Sequence, residues 1–160
     1  MEPAPVHRPV YAREMSELEH DVLEMASQAE AMVTRAVDAL QRLDVSAARE
    51  VMSDDDEVDI KEIAVEQRCL RLLALQQPMA SDLREIGTVI RIITDIERVG
   101  DLAVDLAKIT LKVDRELGVT DYVDIPLMAN TARQMLRLAT QAFVNKDVST
   151  LEEIMALEDR

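Results

Sequence analysis

The chain is nearly devoid of aromatic mass: its 160 residues include no tryptophan, one phenylalanine and two tyrosines. Glycine occurs three times and proline five times. With so few helix breakers, and so few of the aromatics that strands favour, turn-rich β architectures are disfavoured and long helices are expected. The single cysteine, Cys69, rules out an internal disulfide. Its helical spacing with Val65, Leu72 and Leu73 reads as a small core residue rather than a nucleophile, and a reducing compartment suits it. Basic residues are also scarce, with 18 Lys and Arg against 32 Asp and Glu and a net charge of −14. Such a surface repels a phosphate backbone, so no nucleic-acid partner is expected; cations or basic protein surfaces fit better. No stretch approaches the roughly 18 consecutive apolar residues of a membrane span. The start, MEPAPVHRPVYARE, lacks the apolar core of a signal peptide and reads as a flexible arm over residues 1–13. A cytoplasmic location follows, at most peripheral at the inner face of the plasma membrane.

What remains is 48% apolar and rich in alanine, leucine, methionine, glutamate and arginine, which points to an all-α fold with a real core. A first helix is expected from Glu14 to Leu43, with an inward row of Leu18, Val22, Met25, Ala29, Met32, Ala36, Ala39 and Leu43. The tripeptide DVS marks a turn with Ser46 as N-cap, and a second helix follows from Ala47 to Gln76. That helix carries two stripes, one through Val51, Asp55, Val58, Glu62, Val65, Cys69 and Leu72, the other through Met52, Asp56, Asp59, Ile63, Leu70 and Leu73. Pro78 opens a third helix reaching Lys112. Three long helices joined by short turns give an antiparallel bundle over residues 14–115. Residues 116–125, with Gly118, Thr120 and Asp121, read as a linker.

Beyond the linker the sequence repeats itself. DVSAAREVMSDDDE, Asp44 to Glu57, aligns without gaps on DVSTLEEIMALEDR, Asp147 to Arg160, at an offset of 103 residues. The same offset pairs Ala29 with Ala132, Met32 with Met135, Ala36 with Ala139 and Ala39 with Ala142. Residues 126–160 are therefore expected to form an incomplete second unit, comprising a first helix and the start of a second.

The third helix holds an anomaly. Its inward row runs Ile86, Ile90, Ile93, Glu97, Gly100, Val104, Ala107 and Leu111, with one acid in its middle. Taking an unpaired charge from water costs several kcal/mol, so an arginine, a proton or a metal ion must compensate. Asp101 and Asp105 follow Glu97 in steps of four that drift only about 40° each, making one acidic ridge. In a hairpin turning near Pro78, Glu97 is level with Asp59, and Asp101 with Asp55 and Asp56. Acids from two helices then meet and repel, unless one protonates or a hard cation with oxygen ligands sits between them. The plainer alternative pairs Glu97 with Arg35 or Arg98 and leaves SDDDE as a solvated face.

ERVGD, Glu97 to Asp101, preceded by Asp95 and by the turn QQPMASDLR, Gln76 to Arg84, resembles the PhoU family, marked by an E(D)xxxD motif on the third helix of each repeated bundle. The resemblance spans Glu14 to Arg160 and implies two three-helix bundles with acidic metal sites. It implies Glu97 and Asp101 as metal ligands, with Asp56 and Asp59 as contributors, and iron, manganese, zinc or magnesium as the ion. It further implies a negative regulator of phosphate uptake and phosphate-starvation signalling, partnered with the phosphate ABC transporter and its sensor histidine kinase. The second acidic motif has no counterpart in this sequence.

Two other functions compete with this non-catalytic adaptor. Glu17-Leu18-Glu19-His20 is an E-x-x-H, as a carboxylate di-iron oxidase uses, but a second is missing. Level counting also leaves His20 eleven residues from Glu97, roughly 16 Å. A metal-free helical interaction module is the third reading. The apolar side of the fourth helix, with Met128, Ala132, Met135, Leu136, Ala139, Ala142 and Phe143, is expected either to fold back along the first bundle or to pair with the same segment of a second molecule. The second route is the stronger expectation, giving a homodimer.

Overall fold

The computed structural model describes residues 8–76, 78–113 and 124–158. Five helices follow in order: α1 Arg8–Arg42, α2 Val45–Gln76, α3 Ala80–Lys112, α4 Ile125–Asn145 and α5 Leu151–Glu158. There are no strands among the described residues. α1, α2 and α3 pack against one another, α4 packs on α1, and α5 packs on α4.

The expected rows form most of the core, although Leu111, at the end of the α3 row, is exposed. Leu18, Val22, Met25, Ala29, Met32, Ala36 and Ala39 of α1 meet Val51, Val58, Val65, Cys69 and Leu72 of α2. Ile86, Ile93, Val104 and Ala107 of α3 close the bundle. Burial pushes the Cys69 thiol up to about 11, with Glu66 adding to the effect and Arg68 opposing it, as a core thiol requires. The second stripe of α2 is not buried as a row. Ile63 and Leu70 are exposed, because the two neighbours of α2 both lie on its other stripe.

α1 begins at Arg8, six residues before its expected start. Pro9 fits the first helical turn, where an N–H has no partner to lose. Tyr11 then donates to the Asp82 carbonyl at 3.4 Å and Met15 is buried, so the part of the supposed arm from residue 8 onward is anchored helix. Residues 1–7 lie outside the described residues, as does most of the expected linker.

The corner between α1 and α2 is capped by Asp44, not Ser46. Asp44 Oδ1 accepts from the backbone N–H groups of Ser46 at 3.0 Å and Ala47 at 3.1 Å. A carboxylate with two free N–H groups in reach outcompetes the hydroxyl two residues on. The second DVS uses the same device, with Asp147 Oδ1 accepting from Ser149 N–H at 2.9 Å. The residues just before, Leu43 and Lys146, are both left-handed, with φ 51° and 53°. Asp44 N–H donates to the Ala39 carbonyl and Asp147 N–H to the Ala142 carbonyl. Each partner pair is separated by the sequence offset, so the repeat is structural down to its hydrogen bonds.

α4 takes the intramolecular route and folds back along α1. Arg133 and Arg137 reach Glu30 at 3.1 and 3.6 Å, and Lys146 is paired with Glu85 of α3. Glu85 lies near the end of α3 that Tyr11 touches at Asp82, level with the start of α1, so the later residue of α4 meets the earlier end of α1 and α4 runs antiparallel to it. Ala129, Leu136 and Phe143 touch the core, whereas Met128 stays exposed. The docked face is thus turned from the expected row, because the arginines that bind Glu30 must also face α1.

Candidate functional site

The α2–α3 hairpin places acids at one height as the level count requires. Burial is the main reason the Glu97 carboxyl is pushed above the usual carboxylate range, followed by Asp101, Glu62, Asp59 and Asp55. Asp55 is also raised, by burial first and then by Asp59, Asp101 and Asp56, with only Lys108 acting against them. Glu97 and Asp55 are half-buried, and Asp56, Asp59 and Asp101 are exposed. Both raised carboxyls thus sit where apolar walls and like charges act together.

Gly100 of α3 faces this cluster. A Cβ there would lie 3.5 Å from Asp55 Oδ1, 3.7 Å from Val58 Cγ1 and 3.9 Å from Met32 Cε. These are ordinary van der Waals distances, so Gly100 faces Asp55 without being required for the approach of α2 to α3. Asp55 is accordingly the inward acid of the SDDDE run, while Asp56, the expected contributor, points outward beside it. Sequence reasoning placed Asp55 on the inner stripe but did not count it as a ligand. Glu62, about two turns beyond Asp55, was also missed. Its Oε1 accepts from Thr94 Oγ1 at 2.9 Å, which holds it at the edge of the cluster.

The two arginines that might have neutralised Glu97 are engaged elsewhere. Arg35 pairs with Asp54, and Arg98 lies 3.9 Å from Asp95 on its own helix. Asp105 pairs with Lys108 at 2.9 Å at the outer end of the ridge. Among the described residues, Glu97, Asp55, Asp59 and Asp101 make no ion pair. The donor set is oxygen-only and short of counter-charge, which suits a hard cation. Among the described residues, however, no three such side chains converge closely enough to form a ready-made metal centre. Binding would have to draw the exposed Asp59 and Asp101 inward.

The E-x-x-H of α1 has a different environment. Arg68 Nη2 donates to Glu17 at 2.7 Å and Nη1 to Asp21 at 2.6 Å, with Glu14 3.8 Å from Nε. Glu17 is thus committed to a guanidinium rather than to His20 and a metal.

Comparison with known proteins gives a consistent picture. The family model described as "PhoU domain" matches residues 22–110 and 125–160. A PhoU homolog of the phosphate-specific transport system from Aquifex aeolicus (strain VF5) is 31% identical over 147 residues, covering 92% of this chain and 66% of the relative. PhoU homolog 1 from Mycobacterium bovis is 37% identical over 155 residues, covering 96% of this chain and 69% of the relative. The crystal structure of the phosphate transport system regulatory protein PhoU from Streptococcus pneumoniae superimposes with a TM-score of 0.80 at 27% identity, over 90% of this chain and 68% of that one. PhoU from Pseudomonas aeruginosa gives 0.78 at 30% identity, over 84% and 65%. The chain thus spans about two thirds of the length of the relatives it matches.

Proposed function

Since the chain belongs to the PhoU family, we propose that it is a non-catalytic accessory protein of phosphate transport, which restrains phosphate uptake and phosphate-starvation signalling by contacting the phosphate ABC transporter and its sensor kinase. Support comes from the family match over both helical units and from relatives named as accessory proteins of the phosphate-specific transport system. No described helix is long and apolar enough to cross a membrane, so contact with such partners would be made from the surface.

The α2–α3 acidic cluster is the proposed metal site, with Glu97, Asp101, Asp56 and Asp59 as ligands and Asp55 and Glu62 as further donors. The observation that carries this reading is the set of raised, unpaired carboxyls at Glu97 and Asp55. A bound iron, manganese, zinc or magnesium ion would supply the missing positive charge. The residues' own role is to hold α2 and α3 in one register when neutralised, so that the bundle surface offered to a partner depends on occupancy.

Two measurements test the reading separately. Isothermal titration of the chelated protein with each metal chloride is expected to show binding that Glu97→Ala and Asp101→Ala abolish; unchanged binding in both variants would remove the site. Co-purification with the transporter and the kinase, in membranes of a strain lacking its own accessory protein, tests the adaptor role. Absence of both partners from the eluate would reject that role whatever the titration shows.

A further inference from the structure

The outer stripe of α2 has the spacing of a packed row, yet its own bundle leaves it largely exposed. Leu73, Leu70, Glu66, Ile63, Asp59 and Asp56 follow one another in alternate steps of three and four. α3 carries a matching row, Leu83, Gly87, Ile90, Thr94, Glu97 and Asp101, in the same alternation. The hairpin sets the rows side by side: Leu73 is level with Leu83 and Asp59 with Glu97, and between them Thr94 Oγ1 donates to Glu62 Oε1 at 2.9 Å. Leu73 and Ile90 are half-buried against the core and make a floor, whereas Ile63, Leu70 and Leu83 are each 52% exposed. A Cβ added at Gly87 would meet nothing within 4 Å, so the backbone of α3 lies open between Leu83 and Ile90. Two facing helical rows with a shallow apolar furrow between them are what a third helix packs into. From Leu83 to Asp101 the furrow runs about 27 Å, or about 18 residues of a docked helix.

Charge changes along it. Near the turn the walls are apolar, Arg84 stands on the α3 rim, and Glu66 and Arg91, at neighbouring levels on opposite rims, offset each other. Past Thr94 the walls turn acidic, and among the described residues Asp56, Asp59, Glu97 and Asp101 make no ion pair. An occupant must therefore be apolar at one end and basic at the other. A second copy would bring the same excess of acid, −14 per chain, and the acidic half would be repelled by an anionic membrane surface. A helix of a different protein meets both requirements.

We propose that the α2–α3 furrow docks a cationic amphipathic helix of a partner protein, with the partner's apolar residues on Leu70, Leu73, Leu83 and Ile90 and its Lys or Arg residues over Asp59, Glu97 and Asp101. The apolar half is the anchor, and the acidic half fixes which end of the helix lies where. This goes beyond the adaptor role by naming the kind of segment gripped, and it stands on the surface itself whether or not that role holds.

Fluorescence anisotropy with synthetic peptides tests this on the full chain, chelated because a metal would occupy the same carboxylates. One labelled Leu-Ala-Lys peptide of about 18 residues carries its leucines on one face of the first half and its lysines in the second half. The other has the same composition with leucines and lysines interspersed. The first is expected to bind saturably and at least tenfold more tightly than the second. Leu70→Glu and Leu83→Glu are each expected to weaken it at least tenfold with the helical circular dichroism unchanged, since both positions are exposed. Asp59→Asn combined with Asp101→Asn is expected to weaken it several-fold. Absence of saturable binding overturns the proposal, as does equal binding of the two peptides, which would mean charge attraction alone, or binding indifferent to the leucine variants or to the asparagine pair. If the leucine variants lose helical signal, Gly87→Gln decides in their place, because its side chain has open space in the free protein yet would fill the furrow; undiminished binding then overturns the proposal.

Discussion

At Glu97 and Asp55, a raised carboxyl pKa means that the folded protein holds a proton more tightly than the unfolded chain does. The stability these two groups add is full below their ordinary values, 4.5 for Glu97 and 3.8 for Asp55, and is lost as pH rises through the raised folded values. Metal-free protein should therefore melt higher near pH 5 than at pH 7.5, and Glu97→Gln should flatten that slope. Glu24 and Asp147 are lowered instead, Glu24 mainly by its hydrogen bond from Lys61 and Asp147 by that from Ser149 N–H, and they pull the other way as pH falls. Thermal melts of the two proteins across that range measure the difference. A cation replaces the proton in the same role. Metal at a hundred times its dissociation constant should stabilise the folded state by about 2.7 kcal/mol, and chelation should lower the melting temperature accordingly. An unchanged melting curve would identify the proton as the compensator.

For the helices, Gly100 and the two DVS corners carry the next expectations. Gly100 lies buried in the interior of α3, and the contacts of an added Cβ, 3.5 Å and longer, are ordinary van der Waals distances. Gly100→Ala should thus fold and gain about 0.5–1 kcal/mol of helix stability in metal-free protein. The methyl group would meet Asp55, so the same variant should bind metal less well; denaturant melts and titration separate the two effects. Asp44→Ala should cost about 1 kcal/mol by removing the cap of α2. Asp147→Ala should speed amide exchange in α5 and leave the first bundle unchanged.

The sequence shows which of these features periodicity can carry. The rows of α1 and α3, the hairpin level count and the 103-residue offset depend on spacing alone, and each has its counterpart in the structure except at Leu111, where the α3 row runs out to solvent. The Asp44 cap is harder to read because Asp and Ser both serve at an N-cap, and only the backbone path selects between them. Asp55 against Asp56 turns on one residue's rotation, about 100°, which a level count leaves open. The docking of α4 on α1 depends on Glu30 meeting Arg133 and Arg137, residues with no pattern that links them in advance.

For the molecule as a whole, the contrast lies between a bundle closed by short turns and a fourth helix that meets that bundle mainly along α1 and through a few ion pairs. Glu30→Gln should loosen α4 without unfolding the bundle, because it removes the shared partner of two arginines while leaving the α1 row intact. Hydrogen exchange should then show residues 125–145 losing protection ahead of α1, α2 and α3. Simultaneous loss in all four helices would instead mean that α4 is integral to the core.

The corner shared by Asp44 and Asp147 bears on the order of assembly. Both corners are local: a left-handed residue, a capping acid and two carbonyls within five residues can form before any distant part of the chain arrives. The α1–α2 and α2–α3 turns can close on the timescale of small loops, whereas the contact of Glu30 with Arg133 must bring together residues 103 positions apart. Folding is therefore expected to divide in time as the repeat divides in sequence, with the first bundle compact before α4 docks on it.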